Sequence, residues 1–247
     1  MNAIGTGLLL SQFKLKKNIL TTAVLFTGIV SIVIAILAYF GLNMGTFVIS
    51  LDDSAYRTGI SLSTDEDFNA RYPTLLVKPM KRATPVTYRI LEVEEAMNAN
   101  GDYFDSQGYP YIAYSFYLIN ESEGSVDLNF NINITNSSNS VESAIRIMVI
   151  EDYDKVTVFM KDDGDEIYVD DTPDDAKIPE EYLKYFTDDS VCKTEIANFR
   201  PFDIKKFTLL VWLEGYDREC DERIKSGRLR LNFSFSIIGA TNAEEDE

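Results

Sequence analysis

Val126-Asp127-Leu128-Asn129-Phe130-Asn131-Ile132-Asn133-Ile134-Thr135 is the stretch whose reading decides the fold. Apolar and polar residues alternate without a break. Side chains on a strand point to opposite faces at period two, so this segment reads as a strand with one buried and one solvated face. A helix would scatter the same apolar residues around its circumference.

The same pattern closes the chain: Leu229, Leu231, Phe233, Phe235 and Ile237 alternate with Arg228, Arg230, Asn232, Ser234 and Ser236. Ile112, Tyr114, Phe116 and Leu118 mark a third strand, and Phe207, Leu209, Val211 and Leu213 a fourth. In the last of these, Leu210 and Trp212 make the second face apolar too. That predicts a central strand or one covered by the 217–226 segment, with Trp212 in the core. Shorter candidates are Phe47–Leu51, Leu75–Val77, Val86–Leu91, Ala144–Ile150 and Val156–Met160. Glu121-Ser122-Glu123-Gly124-Ser125 lies between two strong strands and predicts a hairpin loop.

Strands that are apolar on one face belong to antiparallel sheets, and two such faces must meet to be buried. The expected fold is all-β: an antiparallel β-sandwich of about eight or nine strands, wired as a jelly roll or like an immunoglobulin domain. Helical signals are few. Pro179 to Phe186 starts with Pro and two acids, as a helix does, and Asp217 to Ile224 allows one or two turns before Gly227.

Ahead of the strands stands a segment of another kind. No Asp, Glu, Lys or Arg occurs from Asn18 to Leu51, and Ile19 to Leu42 is almost wholly apolar. As a helix that run is about 36 Å long, enough to cross a hydrocarbon layer of about 30 Å. Lys14, Lys16 and Lys17 precede it, and Asp52 and Asp53 follow. Lysines stay on the cytoplasmic side, so the expected topology is N-terminus inside. The chain divides accordingly into a cytoplasmic N-terminus (1–17), a transmembrane signal anchor (18–43), an extracellular β-sandwich (44–240) and an acidic tail (241–247). Ile36-Leu37-Ala38 before Tyr39 is a poor cleavage site, since Ile36 stands where a small residue is wanted. Membrane lipid is thus the first expected partner.

Charge excludes one class of partner. Residues 1–43 hold three lysines and no acid, which leaves 20 basic and 40 acidic residues in 44–247. Such a domain repels phosphate backbones, so nucleic acid is excluded. The chain has no histidine, which removes Ser-His-Asp triads, Cys-His pairs and HExxH zinc sites. Neither a Walker nor a dinucleotide-binding glycine motif is present. No carboxylate pair is singled out among the 40 acids, so no enzyme is expected and no catalytic residue is named.

The acidic loops offer candidate calcium ligands: Asp162, Asp163, Asp165 and Glu166 around Gly164, and Asn98, Asn100 and Asp102 around Gly101. Neither fits the EF-hand loop, and charge runs are more often solvated loops; apart from calcium there, no cofactor is expected. Cys192 and Cys220 leave two readings open. One is a disulfide closing a loop of about 28 residues, worth roughly 3 kcal/mol; the other is two reduced, buried thiols.

Val211-Trp212-Leu213-Glu214-Gly215-Tyr216-Asp217-Arg218-Glu219-Cys220, then Ile224, Gly227 and the alternating last strand, resembles the C-terminal region of membrane-anchored surface proteins of Gram-positive bacteria. Phe40-Gly41-Leu42-Asn43-Met44-Gly45-Thr46-Phe47 resembles their membrane exit. The chain is similar to the TasA/camelysin family. That resemblance implies an exported β-sandwich of jelly-roll type and, for some members, matrix fibres. It does not imply protease activity here, because the chain lacks histidine.

The expected function is therefore that of a single-pass cell-surface protein displaying an acidic β-sandwich, with a structural or interaction role in the envelope through a protein partner or self-assembly. Two alternatives stand beside it: a cleaved, secreted matrix subunit assembling by strand exchange, and a calcium-dependent adhesion or ligand-binding module.

Overall fold

The computed structural model describes residues 45–162, 164 and 167–240, together with residue 31. The expected anchor with Ile19 and Leu42, the lysines Lys14, Lys16 and Lys17, the acidic residues Asp163, Asp165 and Glu166, and the tail 241–247 lie outside the described residues. No described helix is long and apolar enough to cross a membrane. The chain divides into two compact units, Met1–Asn43 and Met44–Glu247, and the β-structure belongs to the second.

The elements in chain order are β1 (Gly45–Leu51), α1 (Asp53–Thr58), β2 (Ile60–Ser63), β3 (Thr74–Leu76), α2 (Val93–Asn98), β4 (Gly101–Tyr103), β5 (Ile112–Asn120), β6 (Val126–Ser138), β7 (Ile145–Glu151), β8 (Lys155–Lys161), β9 (Leu183–Phe186), β10 (Ser190–Phe199), β11 (Ile204–Leu213) and β12 (Arg228–Ala240). They form a five-stranded sheet, β10-β6-β12-β1-β3, and a seven-stranded one, β2-β5-β11-β7-β8-β9, in which β4 also pairs with β5.

The alternating sequences do what their period requires. Along β6, buried Val126, Leu128, Phe130, Ile132 and Ile134 alternate with half-buried Asp127, Asn129, Asn131 and Asn133. Phe130, Phe233 and Phe235 from one sheet meet Phe116 and Phe207 from the other. Phe116 stacks on Phe207 at 5.4 Å between centroids, and Phe130 on Phe233 at 5.3 Å. Phe130 and Phe235 are tilted, and the other ring pairs cross edge to face, the arrangement aromatic quadrupoles favour. This five-ring cluster joins the two layers.

β11 is central, between β5 and β7, with both faces covered. Phe207, Leu209, Val211 and Leu213 face the sandwich interior. Leu210 and Trp212 face outward into a second apolar layer formed with Val86, Leu91, Ala96 and Ile178. Trp212 is therefore core, as expected, although the cover comes from the 86–98 segment and Ile178 rather than from 217–226.

Four expectations need correction. First, the sheets are mixed rather than antiparallel: β1 runs parallel to β12, and β9 parallel to β8. Second, 121–125 is not a hairpin, because β5 and β6 lie in different sheets. Both strands bury one face in the same interior, and the chain crosses between layers there. Buried Asn120 holds the crossing. Its amide donates to the carbonyls of Gly124 (2.9 Å) and Phe199 (2.8 Å), and its oxygen accepts from the N–H (2.9 Å) and hydroxyl (2.6 Å) of Ser122. Third, Pro179–Phe186 is one 3-10 turn, Glu180–Tyr182, followed by β9. Proline and acids start a turn, but Leu183, Tyr185 and Phe186 favour the sheet edge. Fourth, Val86–Leu91 is not a strand. Val86 makes a single parallel bridge to Glu214, and Tyr88–Ile90 is a 3-10 turn spent on covering Trp212.

α1 carries the chain from one sheet to the other. The Asp52 carboxylate caps it by accepting the Ala55 N–H at 2.7 Å, and Gly59 ends it at φ 104°, a conformation only glycine adopts freely.

Candidate functional site

The densest polar chemistry lies on the outer face of the seven-stranded sheet. Arg146 on β7 stands directly opposite Trp212 on β11. Arg146 is the sole charged residue in the run Ala144–Ile150, and its side chain is fully buried. A guanidinium cannot shed its charge, so burial demands a partner. Asp217 supplies it: one carboxylate oxygen bonds Arg146 Nη2, and the other accepts the Glu219 N–H at 2.6 Å. Arg146 Nη1 donates to the Ile145 carbonyl at 3.2 Å. Its Nε has no hydrogen-bond partner among the described residues.

Glu214, also buried, completes the group. Its carboxylate accepts Trp212 Nε1–H at 2.9 Å and the Tyr216 N–H at 3.2 Å. Burial pushes its carboxyl above the ordinary range, against the pull of Trp212 and Arg146. One cation thus serves two buried carboxylates. The turn 214–217 is fixed by these side chains, by Asp217 N–H donating to the Glu214 carbonyl (3.3 Å) and by Gly215 N–H donating to the Val86 carbonyl (2.7 Å).

Over this turn runs the segment 167–169. Tyr168 bridges to Asp217 in antiparallel fashion, Val169 N–H donates to the Tyr216 carbonyl (3.0 Å), and Arg218 N–H donates to the Ile167 carbonyl (3.3 Å). Arg218 also binds Asp170 at 2.5 Å. Tyr168 Oη accepts the Ile178 N–H at 3.0 Å, tying the excursion back to the second apolar layer. Chemically, the network is an anchor: its charges face one another and hold a strap to the sheet.

Two adjoining clefts open beside the strap and share Ile167 and Tyr185. One, about 820 Å³, lies between 167–170 and the 177–185 stretch; the other, about 250 Å³, continues past Asp217 and Glu219.

A second polar hub sits near α2. Glu92 accepts from the Tyr103 hydroxyl, the Ser106 hydroxyl and the Ser106 N–H (2.8 Å), bonds that hold its carboxyl below the usual range. The bond to Glu92 pushes Tyr103 up to about 12. This hub fastens the 103–106 turn to the start of α2.

Of the candidate calcium ligands, Asn98, Asn100, Asp102 and Asp162 are among the described residues. Asn98 ends α2 and Asn100 follows it, both exposed, while the Asp102 carboxylate accepts the Lys78 N–H at 2.9 Å. Asp162 is exposed and accepts the Gly164 N–H at 3.1 Å. Among the described residues, no group of three or more acids or cysteines is placed to hold a metal ion. Cys192 and Cys220 are free thiols, each partly buried against the core. Burial pushes both up to about 11.

The Arg146–Asp217–Glu214 group was not among the sequence candidates. Its signal was a single arginine inside the otherwise apolar run Ala144–Ile150, and two acids following the only tryptophan by two and five residues. No family model, no curated protein and no solved structure matches this chain.

Proposed function

We propose that the chain is a single-pass surface protein that holds an acidic β-sandwich outside the membrane and works by contact with other envelope components. One observation carries this reading. The apolar run ends at Leu42, and β1 begins at Gly45 inside the five-stranded sheet, paired with both β12 and β3. An anchor over 18–43 would therefore feed into the fold with almost no linker. The strand orders β1-β12-β6-β10 and β5-β11-β7-β8 follow a jelly-roll path, with β1 turned parallel, which is the architecture the resemblance to the TasA/camelysin family implies.

Fractionation and surface proteolysis test the reading together. The full chain should pellet with membranes and resist alkaline extraction, and protease added to intact cells should remove residues beyond about 44. A chain that deletion of 1–43 leaves in the same fraction, or that is cut only after lysis, would overturn it.

A further inference from the structure

β9 is the edge of the seven-stranded sheet; β8 pairs with one side of it, and no described strand pairs with the other. An open edge offers N–H and C=O groups to any extended chain that reaches it. Beside it, Leu183 and Tyr185 of β9 line the cleft of about 820 Å³, whose other wall is the 167–170 segment, already bonded to 216–218. The cleft is thus bounded by β9 on one side and, on the other, by a segment bridged to the turn after β11. Its apolar surface comes from Ile167, Val169, Ile178, Leu183 and Tyr185, of which Val169 is 39 % and Tyr185 52 % exposed.

The charge around it is predominantly acidic, although Lys184 on β9 is exposed. Two other cations at its rim, Lys177 and Arg218, are paired with Asp174 (2.8 Å) and Asp170 (2.5 Å). Glu180 and Glu181 are exposed where the 3-10 turn leads into β9, and Asp188 and Asp189 are exposed just beyond it. The described part of 162–175 adds Asp162, Asp170, Asp171, Asp174 and Asp175 and no base. A second copy of this domain would bring more negative charge to the cleft.

We propose that this cleft binds an extended, cationic peptide segment of another protein, which adds as a strand to the open edge of β9. Backbone hydrogen bonds set its direction. Apolar side chains at every second position reach Val169 and Tyr185, and lysine or arginine at the alternate positions meets the acidic rim. The inference names the partner class for the interaction role above but does not depend on the anchor, since peptide binding and membrane fractionation are read separately.

The test uses the full chain in detergent and a fluorescein-labelled peptide of about eight residues alternating lysine and valine, long enough to span β9. Fluorescence anisotropy should show saturable binding that weakens with salt. Tyr185→Ala, and separately Glu180→Lys with Glu181→Lys, should each weaken it by about tenfold. Glu66→Lys with Asp67→Lys makes the same change in net charge beside β2, at the opposite edge of the sheet, and should leave binding within about twofold. A peptide with proline in place of valine keeps the charge, cannot extend the sheet, and should not bind. Equal binding of the proline peptide, or equal weakening by the Glu66/Asp67 reversal, would reduce the effect to general charge attraction and overturn the proposal. So would absent peptide binding, including the case of a concentration-dependent dimer that Tyr185→Ala dissolves.

Discussion

Consider the removal of each member of the buried ion pair in turn. Arg146 is fully buried and Asp217 is 5 % exposed. Truncating one partner of such a pair leaves the other charge in a low-dielectric site, which costs about 3–5 kcal/mol. The two truncations are not equivalent here. Asp217→Asn leaves Arg146 beside Glu214, which still offers it a negative charge. Arg146→Met leaves two carboxylates with no cation. The expected order is therefore Asp217→Asn near the lower end of that range and Arg146→Met near or above the upper end. For a β-unit of this size each kcal/mol shifts Tm by about 2–4 °C, so the variants should melt about 6–12 °C and 10–20 °C below the parent. Arg146→Met combined with Asp217→Leu removes both charges and fills the space with apolar atoms, and should regain at least half of the loss. The assay is urea unfolding followed by tryptophan emission. Trp212 is the only tryptophan, is 1 % exposed, and donates to Glu214 in the same network. Single variants within about 1 kcal/mol of the parent, or Asp217→Asn costing more than Arg146→Met, would refute the reasoning.

Glu214→Gln probes the same site by pH. Because the folded pKa lies above the ordinary 4.5, the unfolded chain ionises first as pH rises. Stability therefore falls from about pH 4.5 upward until the raised value is passed, and the glutamine variant lacks that slope. Parent minus variant stability should decline as pH rises above about 4.5, and a flat difference in urea unfolding would contradict this. Gly227→Ala places a Cβ 2.7 Å from Val141 Cβ and 2.9 Å from the Ile224 carbonyl oxygen, against a normal carbon contact of about 3.5–4.0 Å. It should cost about 1–3 kcal/mol by overpacking, measured by thermal melting. Both thiols titrate near 11, so the folded chain should react slowly with a maleimide at pH 7.5 and gain two labels when unfolded. A mass shift of two labels within minutes under native conditions would show the thiols to be accessible.

What could be read from the residues was the repeated single-face strand. β6 and β12 were legible because strict alternation has one structural meaning, β5 and β11 because large apolar residues recur at every second position, and the apolar faces of all four meet in the phenylalanine cluster. Two sheets followed from the need to bury those faces. The parallel pairing of β1 with β12 was not legible, since period two carries no information on strand direction. β10 was missed for a specific reason: its register shifts between Ser190 and Cys192 and again between Ile196 and Phe199, so its buried positions fall out of step. The 121–125 crossing reads locally like a hairpin, and only the four bonds of Asn120, one of them to distant Phe199, tell it apart. Of the site, the acidic excursion was visible as composition. The strap and its anchor were not, because Arg146, Glu214 and Asp217 come together only when β7, β11 and the following turn are aligned.

The first strand has one more consequence. β1 is held by seven register pairs to β12 on one side and three to β3 on the other, and it begins where the apolar run has just ended. Tension arriving along that strand from its N-terminal end would load these backbone bonds in shear, all at once, rather than peel them open singly. A domain tethered through such a strand is built to stay folded while it is being tugged.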